Sequence, residues 1–234
     1  MKTRIVLITI VAISLLVTGI AMAGIKNSKH DLSSGSTTTS QKSDVVGSGG
    51  TDQLCVFCHT PHNATAGFNP LWNKSLNSTT YATYGTTING TANVAGTLSG
   101  VTKACLSCHD GVNAINSVVN LGGAASNVKI SGAAAGAVTI ATAGNLGTNL
   151  TNDHPVSLTY IAGNASLRAL SGTGSTSVVK VSANATAGTD LPVGSGAAAK
   201  VECSSCHDPH GTGNGYFLRA TTNQSNICLV CHNK

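Results

Sequence analysis

The hydrophobic positions of this 234-residue chain are distributed unevenly. Residues Ile5 to Ile20 form a nearly continuous apolar stretch, with two basic residues before it and Ala21-Met22-Ala23 after it. This order is typical of a cleaved leader, so we predict a signal peptide over residues 1–23 and an exported protein. An uncleaved membrane anchor is the alternative, because the stretch is close to the roughly 17 residues that a spanning helix needs.

After the leader, the apolar positions do not follow the period of long amphipathic helices. Large apolar residues make up only about 22% of residues 24–234, which is near the limit for a chain that must fold on its own side chains. Residues 111–200 are about two-thirds Gly, Ala, Ser, Thr and Asn. Short alternating runs such as residues 177–183 predict strands, and Asn-Gly and Gly-Thr-Gly steps predict turns. We predict a mostly irregular chain whose core needs material beyond its side chains.

The low charge of the chain argues against some classes of function. Only 9% of the residues are charged, and the formal net charge of +5 falls to about +3 when the leader is removed. No run of Lys and Arg that could follow a phosphate backbone is present, so a nucleic-acid role is not expected. The sequence also lacks the phosphate-binding loop, the nucleophile elbow and the dinucleotide-binding turn.

The arrangement of the cysteines and histidines indicates the chemistry of the protein. All 8 cysteines fall in four C-x-x-C pairs, and a histidine follows each pair directly. Disulfides and zinc sites also use C-x-x-C, but neither requires that histidine. The four motifs are Cys55/Cys58 with His59, Cys105/Cys108 with His109, Cys203/Cys206 with His207, and Cys228/Cys231 with His232.

C-x-x-C-H is the attachment signature of c-type haem. Both thiols bind the porphyrin covalently, and the adjoining imidazole becomes the proximal iron ligand. We therefore predict four covalently attached haems and a short helical turn at each motif, because the three side chains must face one porphyrin. Residues 68–84 hold half of the aromatic side chains, which we expect to pack on haem edges.

Four histidines remain for the sixth coordination position of four irons. The two methionines both lie in the leader, so thioether ligation is not available in the mature chain. The matching numbers favour bis-histidine ligation over four unrelated surface histidines. The candidate distal ligands are His30, His62, His154 and His210.

Spacing limits which haem each distal ligand can reach. His62 follows His59 by three residues, and His210 follows His207 in the same way, with a proline between them. Three residues span at most about 11 Å, which is too short to reach the opposite face of the same haem. Each must therefore ligate a neighbouring haem. The simplest pairing gives His62 to the second haem and His210 to the fourth, leaving His30 and His154 for the first and third.

The ligands repeat in order, which predicts a duplicated plan. A histidine, a CxxCHxPH motif and a CxxCH motif occur in sequence twice, with loops of different length. We divide the chain into the signal peptide, a first dihaem unit at 24–110, a low-complexity connection at 111–153 and a second dihaem unit at 154–234. A polar insertion is expected at about residues 171–200.

The segments CVFCHTPHNA, NPLWN, ACLSCHDG, NDHPVSL, CSSCHDPHG, YFLR and ICLVCHNK resemble the doubled-CxxCH family of multihaem cytochromes c. The tetrahaem count, the leader and the length are similar to OmcE-type extracellular nanowire cytochromes. This resemblance implies coil organised around a haem stack, a polymer of identical subunits as partner, other cytochromes as donors or acceptors, and a place at the cell surface or outside the cell. It also marks His30 as a candidate to ligate a haem of the next subunit.

Electron transfer without bond chemistry is therefore the expected function, and the protein is not expected to be an enzyme. A monomeric periplasmic shuttle is the alternative. A reductase with one open haem and a membrane-anchored quinol dehydrogenase are further alternatives. A spectrum unresponsive to carbon monoxide would argue against the reductase. Loss of the leader would argue against the membrane-anchored quinol dehydrogenase.

Overall fold

The computed structural model describes the chain in thirteen segments, none of which includes residues 1–23. The described residues are 24–38, 42, 50–68, 71–75, 79–84, 98–120, 139–140, 144–161, 163–171, 178–181, 191–195, 199–211 and 213–233. The predictions for residues 1–23 and for much of the low-complexity connection therefore lie outside the described residues. Within these segments, no helix is long and apolar enough to cross a membrane.

The described chain is mostly irregular, and its helices are short. They are α1 (Gly100–His109), α2 (Cys203–Cys206), a 3-10 helix (Asn223–Ser225) and α3 (Asn226–Cys231). α1 buries one face through Thr102, Ala104, Leu106 and Ser107. Each α-helix contains cysteines of a C-x-x-C-H motif, which confirms the prediction of short helices at the second, third and fourth motifs.

Five short strands form two antiparallel sheets in the second half of the chain. β1 (Leu158–Thr159) pairs with β5 (Lys200–Val201), with Leu158 opposite Val201. β2 (Leu170–Ser171), β3 (Val178–Val181) and β4 (Leu191–Ser195) form a three-stranded sheet in that order. The strand predicted within residues 177–183 is confirmed as β3.

The largest apolar core lies beside the fourth motif. Leu191 and Val193 of β4 and Val230 of α3 are fully buried there, and they pack with Tyr160 and Ala199. Leu191, Val193 and Ala199 belong to the stretch that we expected to be a polar insertion. The described part of this stretch contributes core instead, because Leu191 and Val193, at alternate positions of β4, lie on its buried side.

A buried polar network joins the two halves of the chain. Glu202, at the start of α2, accepts hydrogen bonds from the hydroxyls of Thr102 in α1 and Ser157, the latter at 3.1 Å. Ser157 also accepts from the backbone N–H of Ser99 at 3.0 Å. The second motif therefore packs directly against the third.

Candidate functional site

Each C-x-x-C-H motif forms one helical turn. In three of them the histidine N–H donates to the carbonyl of the first cysteine, at 2.8 Å for His59, 3.0 Å for His207 and 2.9 Å for His232. The second motif lies inside α1. This turn brings both thiols and the imidazole to one side of the chain. All eight cysteines are free thiols, as expected for residues that do not form disulfides.

The first and third motifs are followed by the same hydrogen-bonded loop. After the first motif, Asn73 donates to the Cys58 carbonyl at 2.9 Å, and Thr60 donates to the Leu71 carbonyl at 3.0 Å. After the third motif, the corresponding bonds are Arg219 N–H to Cys206 carbonyl at 2.9 Å and Asp208 N–H to Phe217 carbonyl at 2.7 Å. The loops are centred on antiparallel bridges of His59 with Trp72 and of His207 with Leu218. The repeat seen in the ligand pattern is therefore also a structural repeat.

Three histidines of the C-x-x-C-H motifs lie opposite a histidine from elsewhere in the chain. The ring centroids are 6.0 Å apart for His109 and His30, 6.2 Å for His59 and His210, and 6.4 Å for His232 and His154. In each pair, one ring belongs to a motif and the other is one of the four remaining histidines. Chance edge contacts between imidazoles would not select partners in this way.

These separations fit two imidazoles that share one metal ion. A histidine nitrogen lies about 2 Å from a bound metal, so two ring centroids on opposite sides of it are about 6 Å apart. All three pairs have this spacing. Among the described residues, no group of three or more His, Cys, Asp or Glu side chains converges on one point. The described donors are therefore arranged as opposed pairs, which is the arrangement that an iron porphyrin requires of a protein.

Hydrogen bonds of the rings leave the second nitrogen available. Four imidazoles bring Nδ1 to a backbone carbonyl, which selects the tautomer with the proton on Nδ1 and leaves the Nε2 lone pair for a metal. Gly144 has no side chain to hinder its carbonyl, which lies close to His109. The pairs are His30 with Pro209 at 3.3 Å, His109 with Gly144 at 2.7 Å, His154 with Pro155 at 3.0 Å, and His207 with Tyr216 at 2.9 Å.

The observed pairs differ from the simplest pairing drawn from the sequence. His109 lies opposite His30 rather than His62, and His232 lies opposite His154 rather than His210. Within the single chain His30 lies opposite His109, and its role as a ligand for the next subunit stays a prediction. The pairing differs because the loop after the third motif lies beside the first motif, which places His210 opposite His59. The three pairs use the histidines of the first, second and fourth motifs, which leaves His207 of the third motif. His62 and His207 are both exposed.

Thiols of successive motifs are close enough for their charges to interact. Cys58 is influenced by Cys108, Cys105 lies beside Cys203, and Cys206 is influenced by Cys228. Burial raises the pKa of Cys58 to about 12 and that of Cys231 to about 11. For Cys105, the contact with Cys203 comes first and burial second, and both raise its pKa. The attachment positions therefore follow one another in sequence order.

Phe217 and Lys74 were not selected from the sequence, whereas Trp72 belongs to residues 68–84, whose aromatic side chains were expected at haem edges. The ring of Phe217 stacks on His30, with centroids 4.2 Å apart and planes 9° from parallel. Trp72 meets the ring of His59 edge-on at 5.9 Å and donates through Nε1 to Ser107 of the second motif at 3.2 Å. Fully buried Lys74 donates through Nζ to the carbonyls of Ala114 and Ile115 at 2.8 and 2.6 Å. The only sequence signal for Phe217 is its place in the YFLR segment after the third motif.

Comparison with known proteins gives one family match. Residues 196–234, which contain the third and fourth motifs, match the family of the doubled CXXCH motif. No curated protein matches the chain. The matched motif is that of multihaem c-type cytochromes, so it indicates covalently bound c-type haem and a role as an electron carrier.

Proposed function

We propose that this protein is a tetrahaem c-type cytochrome that carries electrons through closely spaced bis-histidine haems. The observation that carries the proposal is the set of three opposed imidazole pairs, each with centroids 6.0 to 6.4 Å apart. The eight free cysteines, held in helical turns beside these rings, are the thioether positions.

The ring geometry supports three axial pairs. His59 and His210 hold the first iron, His109 and His30 the second, and His232 and His154 the fourth. The motif histidine is the proximal ligand in each case. Carbonyl groups at Nδ1 hold His30, His109 and His154 in orientation, as is common for metal-binding histidines.

We assign the third iron to His207 and His62. The loops after the first and third motifs have the same hydrogen bonds and the same three-residue spacing between their histidines. His210 of one loop lies opposite His59. The reciprocal arrangement would bring His62 of the other loop toward His207. This exchange agrees with the spacing rule, because the two histidines of one loop then bind different haems.

Electron transfer is the chemistry that this arrangement supports. A bound c-type haem supplies a one-electron iron couple. When two histidines occupy both axial positions, the chain leaves no iron position for a substrate, so the protein acts as a carrier. The contact of Cys105 with Cys203, and the electrostatic influence of Cys108 on Cys58 and of Cys228 on Cys206, support a route through the chain in motif order.

The proposal extends to assembly and location. We place the protein outside the cell, exported by the leader, as a subunit of a cytochrome filament that passes electrons between copies of itself and other cytochromes. The support is the resemblance to nanowire cytochromes together with the low charge. With about −1 from the propionates of each ferric haem, the mature charge of about +3 becomes about −1, which favours self-association.

A haem count tests the core of the proposal. We expect about four haems per chain in the protein purified from a host that attaches c-type haem, a low-spin spectrum, and no change on addition of carbon monoxide. Replacement of both Cys228 and Cys231 by serine should remove one haem and leave the rest attached. A chain with fewer than four haems, or with a carbon monoxide response, contradicts the assignment of four bis-histidine irons.

Electron microscopy tests the assembly separately. Filaments with a repeat of one chain are expected from native material, and disperse monomers at all concentrations would leave a soluble shuttle as the function. The mature N-terminus should be Gly24 by mass spectrometry, whereas a retained leader would contradict an extracellular subunit.

A further inference from the structure

Each histidine of the second ring pair is followed in sequence by a buried aspartate. Asp31 follows His30 directly, Asp110 follows His109 directly, and each carboxylate residue is only 1% exposed. Thus both histidines of this ring pair carry a buried acidic neighbour. At the first and fourth motifs, the residues that follow the motif histidine are the uncharged Thr60 and Asn233.

Neutral donors satisfy the Asp110 carboxylate. It accepts from the Tyr81 hydroxyl at 2.8 Å, from the N–H groups of Val112 and Asn113 at 2.9 and 2.7 Å, and from the Asn113 side-chain amide at 2.5 Å. Acceptance at both oxygens is what an ionised carboxylate offers. The charge and hydrogen bond of Asp110 also raise the pKa of Tyr81, after the larger effect of burial.

Asp31 is held in the same way. Its carboxylate accepts from the N–H of Asn27 at 2.7 Å, and from the N–H and hydroxyl of Ser33 at 3.1 and 2.5 Å. In the described part of the chain, the carboxylate that forms ion pairs is that of Asp208, and neither Asp31 nor Asp110 has a basic group within salt-bridge distance. Their charges are therefore balanced by dipoles rather than by a cation.

The third motif provides the contrasting arrangement. Asp208 follows His207 as Asp110 follows His109, but its side chain is 38% exposed, and it pairs with Arg219 at 3.4 Å and approaches His210 Nδ1 at 3.8 Å. Water and Arg219 reduce its effect on a nearby charge. The same residue type at the same motif position thus has two different electrostatic environments.

We propose that Asp31 and Asp110 lower the reduction potential of the haem held between His30 and His109. Oxidation adds a positive charge to the iron, and buried negative charges on both axial sides stabilise that oxidised form. A carboxylate on the order of 10 Å from the iron, at the effective dielectric of a protein, changes the reduction equilibrium about tenfold. The inference rests on the proposed haem attachment and goes beyond it by assigning a function to two residues that bind no haem.

The experiment is a redox titration of the haem-loaded chain, followed in the Soret band and fitted to one-electron waves. A His30→Met chain identifies the wave of this haem, because thioether ligation raises its potential. Asp110→Asn should shift that wave by about +59 mV, the equivalent of a tenfold change for one electron, and leave the other waves in place. Asp31→Asn should shift the same wave in the same direction.

Asp208→Asn is the matched control. It should shift the wave of the haem at Cys203 and Cys206 by less than a third of the shift that Asp110→Asn causes at the second haem. An unshifted wave in both Asp110→Asn and Asp31→Asn, or an equal shift in Asp208→Asn, overturns the inference. Loss of haem from both variants also overturns it, because the carboxylates would then serve to hold the fold. Absence of haem at Cys105 and Cys108 in the unsubstituted chain is a different result, since it contradicts the proposed function itself.

Discussion

Phe217 lies face to face with His30, with ring centroids 4.2 Å apart and planes within 9° of parallel. The two residues come from opposite ends of the chain. The Pro209 carbonyl also accepts from His30 Nδ1 at 3.3 Å, so the loop after the third motif fixes the imidazole both by stacking and by a hydrogen bond.

This stack predicts that Phe217→Ala lowers the free energy of unfolding by about 2 kcal/mol, since it removes apolar area and an aromatic contact. The measurement is denaturant unfolding of the haem-loaded protein, followed in the Soret band. Tyr216→Ala is the control, because its side chain is 88% exposed and its loss should cost little. Equal losses in the two variants would show that the stack contributes nothing.

Lys74 should contribute to stability through two backbone carbonyls. Lys74→Met keeps the volume but leaves the carbonyls of Ala114 and Ile115 without their donor, and we expect a loss of about 2 to 4 kcal/mol. Lys29→Met removes an exposed donor and should stay within about 0.5 kcal/mol of the unsubstituted protein. If the Lys74→Met protein is instead more stable, the free-energy cost of burying the ammonium exceeds the stabilisation from its hydrogen bonds.

Glu202 should hold the second and third motifs together. Glu202→Ala removes the acceptor of Thr102 and Ser157 at a buried position, and we expect unfolding to become easier by about 2 to 4 kcal/mol. Thermal unfolding is the measurement, with Asp52→Ala at an exposed position as control. Similar melting temperatures for both variants would contradict a structural role for the network.

Tyr160 predicts a loss of stability at alkaline pH. Burial raises the pKa of Tyr160 to about 12 from an ordinary value of 10, and its hydroxyl donates to the Arg168 carbonyl at 2.8 Å. The folded state thus favours the neutral phenol, so its contribution is complete below pH 10 and is lost as the pH rises from 10 to 12. Between these values, unfolding free energy should fall by up to about 1.4 kcal/mol per pH unit.

The corresponding test compares Tyr160→Phe with the exposed control Tyr216→Phe. The alkaline slope should be shallower in Tyr160→Phe and unchanged in Tyr216→Phe. An unchanged slope in both would show that other groups determine the alkaline limit.

Haem removal should abolish the stable fold. The described cores are small, and large apolar residues make up only about 22% of residues 24–234. A chain produced without haem attachment should show no cooperative thermal transition in circular dichroism, whereas the loaded chain should. A cooperative transition in the haem-free chain would mean that the polypeptide core is sufficient.

Local patterns in the sequence predicted the motif turns, because each depends on five consecutive residues. They also predicted the strand at Val178–Val181. The rule that three residues cannot return to the same haem agrees with the pairing of His210 with His59 rather than His207. The choice of neighbour could not be predicted from chain order, since it depends on the packing of α2 against α1. Phe217 and Asp110 were also missed, because stacking and burial are tertiary properties.

The ring pairs differ in how much of the chain they need. His30 and His109 both lie in the first half of the chain, so the second pair needs no residue of the second half. His59 is paired with His210, which lies in the second half of the chain. Under the proposed assignment, a chain cut between Asp110 and His207 would therefore contain one complete pair and one iron open on its distal side. That first iron would be accessible to small molecules such as peroxide until the third motif is in place.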